Sequence, residues 1–357
     1  MTEPERVAVI VPNYNKAKTL RACLESVYAQ RHRPAEVVVV DDASTDGSLE
    51  IARSFPCTLV ELPGNRGPAA ARNTGVAAST APLLFFVDSD SALAPDAVGN
   101  AVRVLRENPD CGIVQGNYDL EPLFDDGPVE AYKVAFEHFW RGRTVGGETG
   151  TLFSVCLVRR EAYEAAGGMD EDLRNGEDVE FGTRMPDRYT VVVSDAVRTR
   201  HDDDHRLFPL LWEQLVRSAN APMVMLKTHR RRRSGATGSR VDMLSLGRLT
   251  YLDRTAYLSF GLMGLSLAVL PFAVLMPWLL LVLLGLQATF VVVSHEFLRF
   301  ALRRKGIRFA LVATGMHIAT HGAMALGASL GTLRATYEVV RGRFRPTRTR
   351  APAGVPE

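Results

Sequence analysis

Cysteine is scarce and unorganised in this sequence. Four residues (Cys23, Cys57, Cys111, Cys156) are scattered over 357 positions, with no CxxC pair and no zinc-ligand spacing. That excludes a disulfide framework and a structural zinc module, and reads as reduced, mostly buried thiols in a cytosolic compartment. A secretory leader is also missing. The opening MTEPERVAVI has no basic stretch followed by an apolar one, so residues 1–5 read as a loose lead-in. There is no internal repeat, and biased composition is confined to Arg230–Arg233 and the Arg/Pro tail. The most informative absence is of charge: the 40 residues from Ala256 to His295 contain no Asp, Glu, Lys or Arg. As one helix they would span roughly 60 Å, about twice a bilayer core. They read instead as two crossings, about 256–275 and 277–295, turning at LMPW. Pro277 can open the second helix there, and Trp278 suits an interface. A soluble hairpin of this length would keep a polar face.

Charge is unevenly placed elsewhere. The net charge of +2 hides 34 Asp/Glu against 21 Lys/Arg in residues 1–205, and 6 against 21 in residues 206–357. An acidic half joined to a basic, apolar half implies two environments. The hydropathy directs the basic half to a membrane rather than to nucleic acid. A third apolar stretch, 309–333, is rich in small residues, and Gly327 and Gly331 form a GxxxG that could pack against the other two spans. Arginines flank it on both sides, which the positive-inside rule does not reconcile with one crossing. The two readings are a third crossing, which we favour, or a re-entrant hairpin near Thr320–Gly322. The segment LFPLLWEQLVRSANAPMVMLKTHRRRR has Leu207, Leu210, Leu211, Leu215, Met223 and Leu226 at helical spacing, with Arg217 and Lys227 on the other side. It reads as an interfacial helix on anionic lipid.

The acidic half alternates short apolar runs with helix-period stretches. Runs at 6–11, 36–40, 57–62 and 83–87 read as buried parallel strands, and 17–30, 47–54 and 67–79 as the helices between them. Helices at 95–107, 129–141, from Arg160 and at 177–185 follow, with strands at 111–117, 151–158 and 189–193. Ligands of open α/β sheets sit beyond the carboxyl ends of the strands. There the sequence places Pro12-Asn13-Tyr14-Asn15, Asp41-Asp42-Ala43-Ser44, Gly64-Asn65-Arg66-Gly67 and Asp88-Ser89-Asp90. Four polar, turn-forming tips on one edge make a site more strongly than any single motif.

The ordered blocks VAVIVPNYN, VVVVDDASTDGS, NRGPAAARNTG, FFVDSDS and GGMDEDLRNGEDVEFGTR resemble the family-two glycosyltransferases of the GT-A fold, over roughly residues 6–205. The resemblance implies a mostly parallel sheet with helices on both faces, a nucleotide-sugar donor such as a UDP-sugar, a divalent metal and inversion at the anomeric carbon. Asp88 and Asp90, two apart at the end of an extended segment, should project together. A pair that close repels unless a cation neutralises it, and hard oxygen ligands suit Mg²⁺ or Mn²⁺. By resemblance Asp90 is the main ligand, Asp88 supports the metal or the ribose, and His201 contacts metal or diphosphate. A helix cap before SALAPDAV would also account for Asp90, but not for Asp88. Asp42 is the expected partner of the base, with the Pro12–Tyr14 backbone across from it. Arg72 faces either donor phosphate or the acids; an ordinary surface arginine is equally compatible. Of Glu177 and Asp178, Asp178 is the expected general base that takes the acceptor proton; helix-start electrostatics is the plain alternative. Gln214 to Arg217 half-match a QxxRW motif of processive synthases, with Ser218 where the Trp would be.

The expected organisation is a GT-A domain over 1–205, a basic juxtamembrane segment over 206–250, a membrane domain of two or three helices over 251–335 and a basic tail over 336–357. The expected activity is that of an inverting, hexosyltransferase-type enzyme in the cell membrane, its catalytic domain cytoplasmic. It would serve cell-envelope polysaccharide assembly by transfer to a lipid-linked or glycan acceptor. The rivals are a small processive polysaccharide synthase and a non-catalytic, membrane-anchored nucleotide-sugar binder. Sugar choice is expected to lie in 112–160, including the loop 141–150.

Overall fold

Runs of Val, Ile and Phe without a polar break give strands that are covered on both faces. The computed structural model describes residues 5–143, 145, 153–203, 205–233 and 254–341, with the side chains of 227–233, 254 and 257 excepted. Strands β1 (Val7–Asn13), β2 (Glu36–Asp41), β3 (Thr58–Glu61) and β4 (Leu83–Val87) pair in parallel. Helices α1 (Leu20–Tyr28), α2 (Ser48–Arg53) and α3 (Pro68–Ala77) connect them. Alternation along β1 serves two cores. Val7, Val9 and Val11 pack with α1 and with α4 (Ala97–Glu107), while Ala8 and Ile10 pack with α3 and an aromatic group around Phe86, Phe153 and Phe181.

The rest of the sheet adds antiparallel pairs to the expected mostly parallel pattern. After α4 come β6 (Cys111–Tyr118), α5 (Pro128–Gly142), β7 (Val155–Arg159), α6 (Arg160–Ala165), α7 (Glu177–Gly182) and β8 (Thr190–His201). β7 lies between β4 and β6 and runs antiparallel to both, so the eight-stranded sheet, ordered β3-β2-β1-β4-β7-β6-β8-β5, is mixed. The strand missing from the sequence reading is β5 (Ser91–Leu93), three residues paired antiparallel with the end of β8. It replaces the helix cap considered for Asp90, and β8 extends to His201, beyond the strand expected over 189–193.

Helix α8 (Leu207–Arg233) follows, then α9 (Arg254–Ala273), α10 (Leu279–Val293) and α11 (His295–Val340), which is broken at Gly306 (φ 83°). Among the described residues α11 alone is long and apolar enough to cross a bilayer. The apolar parts of the expected first two spans are Leu258–Ala273 and Leu279–Val293. The second, 15 residues at 1.5 Å each, reaches about 22 Å, short of a core of about 30 Å. They form a hairpin turning at 274–278, as expected. α11 is helical through 320–322, which removes the re-entrant alternative. The arginines from Arg299 to Arg308 lie on this helix rather than in a loop, and its first turns pack on α5 through Phe297, Ala301, Tyr132 and Phe136.

Helix α8 also differs from its expected role. A methyl group added at Gly327 or Gly331 of α11 would collide with the carbonyl oxygen of Leu215 or Ala219. The GxxxG therefore receives the backbone of α8, not the other apolar helices. α8 is seated between α11 and the cavity described next, instead of lying free as an amphipathic surface helix. The side chains of Lys227 and of the Arg230–Arg233 run lie outside the described residues, as do 234–253 and 342–357.

Candidate active site

The carboxyl ends of β1, β2 and β4 open into one cavity of about 930 Å³. All ten residues singled out from the sequence line it: Pro12, Asn13, Tyr14, Asp42, Arg72, Asp88, Asp90, Glu177, Asp178 and His201. Each arrives by a local device. Asn13 ends β1 beside Asp41, the last residue of β2, and donates to its carboxylate at 2.8 Å. The Asp41 side chain also accepts from the amide and hydroxyl of Ser44, holding the Asp41–Ser44 turn with Ala43 at φ 64°, uncommon for alanine. Asp42 accepts from the amides of Arg66 and Gly67 at 2.6 and 2.7 Å, tying the second strand tip to the start of α3.

β4 stops at Val87, and Asp88 to Ser91 form a turn closed by Ser91 N to Asp88 O at 3.0 Å. The extended-segment reading of Asp88 and Asp90 therefore fails locally. Both carboxylates line the cavity, but a turn sends them to different partners. Asp88 accepts from Arg72 at 2.9 Å. Arg72, nearly fully buried, uses its other nitrogen to hold Glu177 at 2.8 Å. It is thus no surface arginine: its fork links the tip of β4 to the start of α7. Gly176, left-handed at φ 74°, turns the chain into that helix and presents Glu177 and Asp178 in its first turn.

β5 is what brings His201 to Asp90. Ser91 pairs with His201, and Asp202 N donates to Asp90 O at 2.9 Å. His201 Nε2 then lies 3.2 Å from Asp90 Oδ1, while Lys16 Nζ lies 2.7 Å from Asp90 Oδ2. Behind His201, the Tyr118 ring stacks at 4.6 Å, and the Arg141 guanidinium lies 4.0 Å from the Tyr118 ring centre. Arg141 is fixed by Glu137 at 3.0 Å and Ser154 at 3.1 Å, and Lys133 by Glu137 at 2.7 Å. Sequence reading missed this wall. Its one legible signal was the 133, 137, 141 spacing, which puts a Lys-Glu-Arg ladder on one helix face; Tyr118 had none. Glu213 and Arg217 of α8, 2.5 Å apart, also line the cavity.

Electrostatics separate the acids. Burial pushes the Asp90 carboxyl up, but His201 and Lys16 outweigh it and hold it well below the usual carboxylate range. Burial lifts Asp88, and Arg72 offsets that only in part. Asp178 is pushed up to about 6, by burial first and then by the Glu177 charge. A carboxylate so placed can exchange a proton near neutrality. His201 is raised: burial lowers it, but Asp90 and Asp203 prevail.

Three observations fit a divalent cation at Asp90 and His201. The cavity lining carries nine carboxylates and seven Lys or Arg, a negative balance. Asp90 Oδ1 and His201 Nδ1 are buried with only the contacts to His201 Nε2 at 3.2 Å and to Asp203 at 3.6 Å, and Asn13 Oδ1 and Arg72 Nε are buried without a hydrogen bond. Such atoms are rare away from ligand sites. The 3.2 Å between Asp90 Oδ1 and His201 Nε2 also suits adjacent ligands of one octahedral ion, about 3.0 Å apart for bonds of ~2.1 Å. Asp88, taken by Arg72, is the less suited of the expected ligands. A second acidic group, Asp126, Glu130 and Asp202, has ligand atoms within 4.8 Å of one another. The Lys18 ammonium already contacts Asp126 and Asp202, and backbone amides occupy Glu130.

The family model "Glycosyl transferase family 2" matches residues 8–165. An uncharacterized glycosyltransferase of Haemophilus influenzae is 28% identical over 182 residues, 49% of this chain and 60% of that one. Glycosyltransferase AglE of Haloferax volcanii is 29% identical over 189 residues, 51% of this chain and 61% of its own. The matched region thus spans about three fifths of these relatives. Among solved structures, the mannosyltransferase PcManGT of Pyrobaculum calidifontis, in complex with GDP-Man and Mn²⁺, superposes with a TM-score of 0.54. It shares 22% identity, over 96% of this chain and 89% of that one, a likeness of fold. The family match ends before Asp178 and His201, whose places rest on geometry. Residues 8–165 thus match a glycosyl transferase family 2 domain, on a GT-A-like α/β fold with a mixed sheet.

Proposed function

We propose that this chain transfers a sugar from a nucleoside-diphosphate donor to an acceptor hydroxyl, with inversion, and that Asp178 is the base. One observation carries the reading: tips from five separate sequence blocks converge on one cavity, with Asp178 raised to about 6 among them. The acceptor oxygen attacks the anomeric carbon, its proton passes to Asp178, and the bond from that carbon to the diphosphate oxygen breaks. The nucleoside diphosphate leaves with the bonding electrons. Asp42 and the Pro12–Tyr14 backbone flank the donor's nucleobase, and Arg72 orients Asp88 and Glu177. Asp90 and His201 would hold Mg²⁺ or Mn²⁺, which when bound offsets charge on the diphosphate. Donor class and cation are also those of the Pyrobaculum neighbour, complexed with GDP-Man and Mn²⁺. A poised base favours an enzyme over a binding protein.

We further infer a catalytic unit over 1–205 facing the cytoplasm, with 206–335 at the membrane and 336–357 as a basic tail. The support is α11, together with a hairpin that exposes Leu270, Phe272, Val274, Leu275, Trp278 and Leu281. The acceptor is then lipid-linked or membrane-proximal. The test is a panel of nucleotide sugars, supplied with Mn²⁺ to membranes containing the chain, with the lipids read by mass spectrometry. One donor should yield a single-sugar mass increment. A ladder of increments would instead indicate a processive synthase, and turnover of no donor would refute the enzyme reading.

A further inference from the structure

We propose that Lys16 is a built-in counter-cation of the donor site, coupling the binding of a divalent cation to that of the nucleoside diphosphate. The inference rests on the donor-site reading above and concerns a residue which that reading leaves without a role.

The two acids at the tip of β4 are each matched by a cation of the chain itself. Asp88 has Arg72, which is 6% exposed and forked onto a second acid, Glu177. That guanidinium cannot leave without abandoning two buried carboxylates. Asp90 has Lys16, whose side chain is 41% exposed and whose direct contact is the single oxygen Oδ2, at 2.7 Å. An ammonium on a flexible four-carbon stem, held by one contact at a cavity wall, can swing. Its neighbour Lys18 is not equivalent, because it is clamped by Asp126 and Asp202 and lies 5.0 Å from the Phe124 ring centre.

Charge arithmetic gives Lys16 two opposite effects. With no diphosphate present, its ammonium sits on the carboxylate that a divalent cation would use. The two positive charges repel at short range in a partly buried site, so Lys16 weakens cation binding. A bound diphosphate brings oxygens that an ammonium prefers to share. Lys16 then turns from competitor to ligand, and its positive charge no longer opposes the cation. Cation and diphosphate consequently bind with positive coupling, and reciprocity requires the same factor in both directions.

The full-length protein is titrated with Mn²⁺, followed by the electron paramagnetic resonance of the free ion, with and without saturating UDP or GDP. Wild type should bind Mn²⁺ weakly alone and more tightly with diphosphate. Lys16→Met should bind Mn²⁺ alone about 5-fold or more tightly than wild type, at the low end of usual coupling factors. Its gain on adding diphosphate should shrink by at least the same factor. Lys16→Arg, which keeps the charge, should behave as wild type, and Lys16→Met should have no effect in an Asp90→Asn background. Unchanged or weaker Mn²⁺ binding by Lys16→Met, alongside a wild type that binds both ligands, would overturn this inference alone. A wild type that binds neither ligand would overturn the donor-site reading with it.

Discussion

In the proposed mechanism the chemistry turns on Asp178, and its surroundings make its ionisation measurable. It faces Glu177, Arg72 and Asp88; burial and Glu177 raise it to about 6, while Arg72 pulls the other way. A base works in its deprotonated form, so kcat should fall as pH drops below about 6 and level off above about 7. A pH–rate profile checks this, and a flat profile from pH 5 to 8 would contradict it. The same shift bears on stability. Unfolded, the group ionises near the ordinary 3.8; folded, it holds its proton to about 6. Stability contributed by this group is thus lost as pH rises through that window, and the penalty is complete above it. Asp178→Asn should therefore melt at a higher temperature than wild type at pH 8 and show no gain at pH 3. At this scale the sequence was informative wherever a residue sat on a strand tip, because strand ends share an edge. Lys16 and Tyr118 were illegible, since their positions depend on which carboxylate or ring the tertiary fold brings near.

Among the elements, α8 and α11 form one of the contacts that join the apolar helices to the cavity. Leu215 and Ala219 of α8 rest on Gly327 and Gly331, and Arg217, midway between them in sequence, lines the cavity. Gly331→Ala should cost about 1–3 kcal/mol, the usual penalty of overpacking, and lower the thermal midpoint in detergent. Gly322→Ala, on the same helix but with nothing within 4 Å of the added methyl, should be neutral or slightly stabilising. Equal effects at both glycines would refute the notch. The GxxxG was visible in the sequence, but its partner was not: small-residue spacing reveals a close approach without saying what approaches. The antiparallel β7 and the three-residue β5 were hidden for a related reason. An apolar run announces a strand, while its direction and neighbours come from the sheet. β5 is also too short to show a period, although it places His201.

For the whole molecule, the division into an acidic α/β half and an apolar basic half was legible from charge alone. The continuation of α11 through its arginine-rich first turns was not, because hydropathy does not follow a helix across a charged stretch. If α11 and the exposed hairpin sit in lipid, alkaline carbonate should leave the full-length chain in the membrane pellet. Release into the supernatant would confine it to the surface. The central claim is that the converged tips form a donor site with Asp178 as base across from it. Its most direct test compares Asp178→Asn with wild type for nucleoside-diphosphate affinity by calorimetry and for turnover of the active donor. Affinity should stay within about 3-fold while turnover falls by about 100-fold or more, the scale of a lost general base. Turnover equal to wild type would contradict the account.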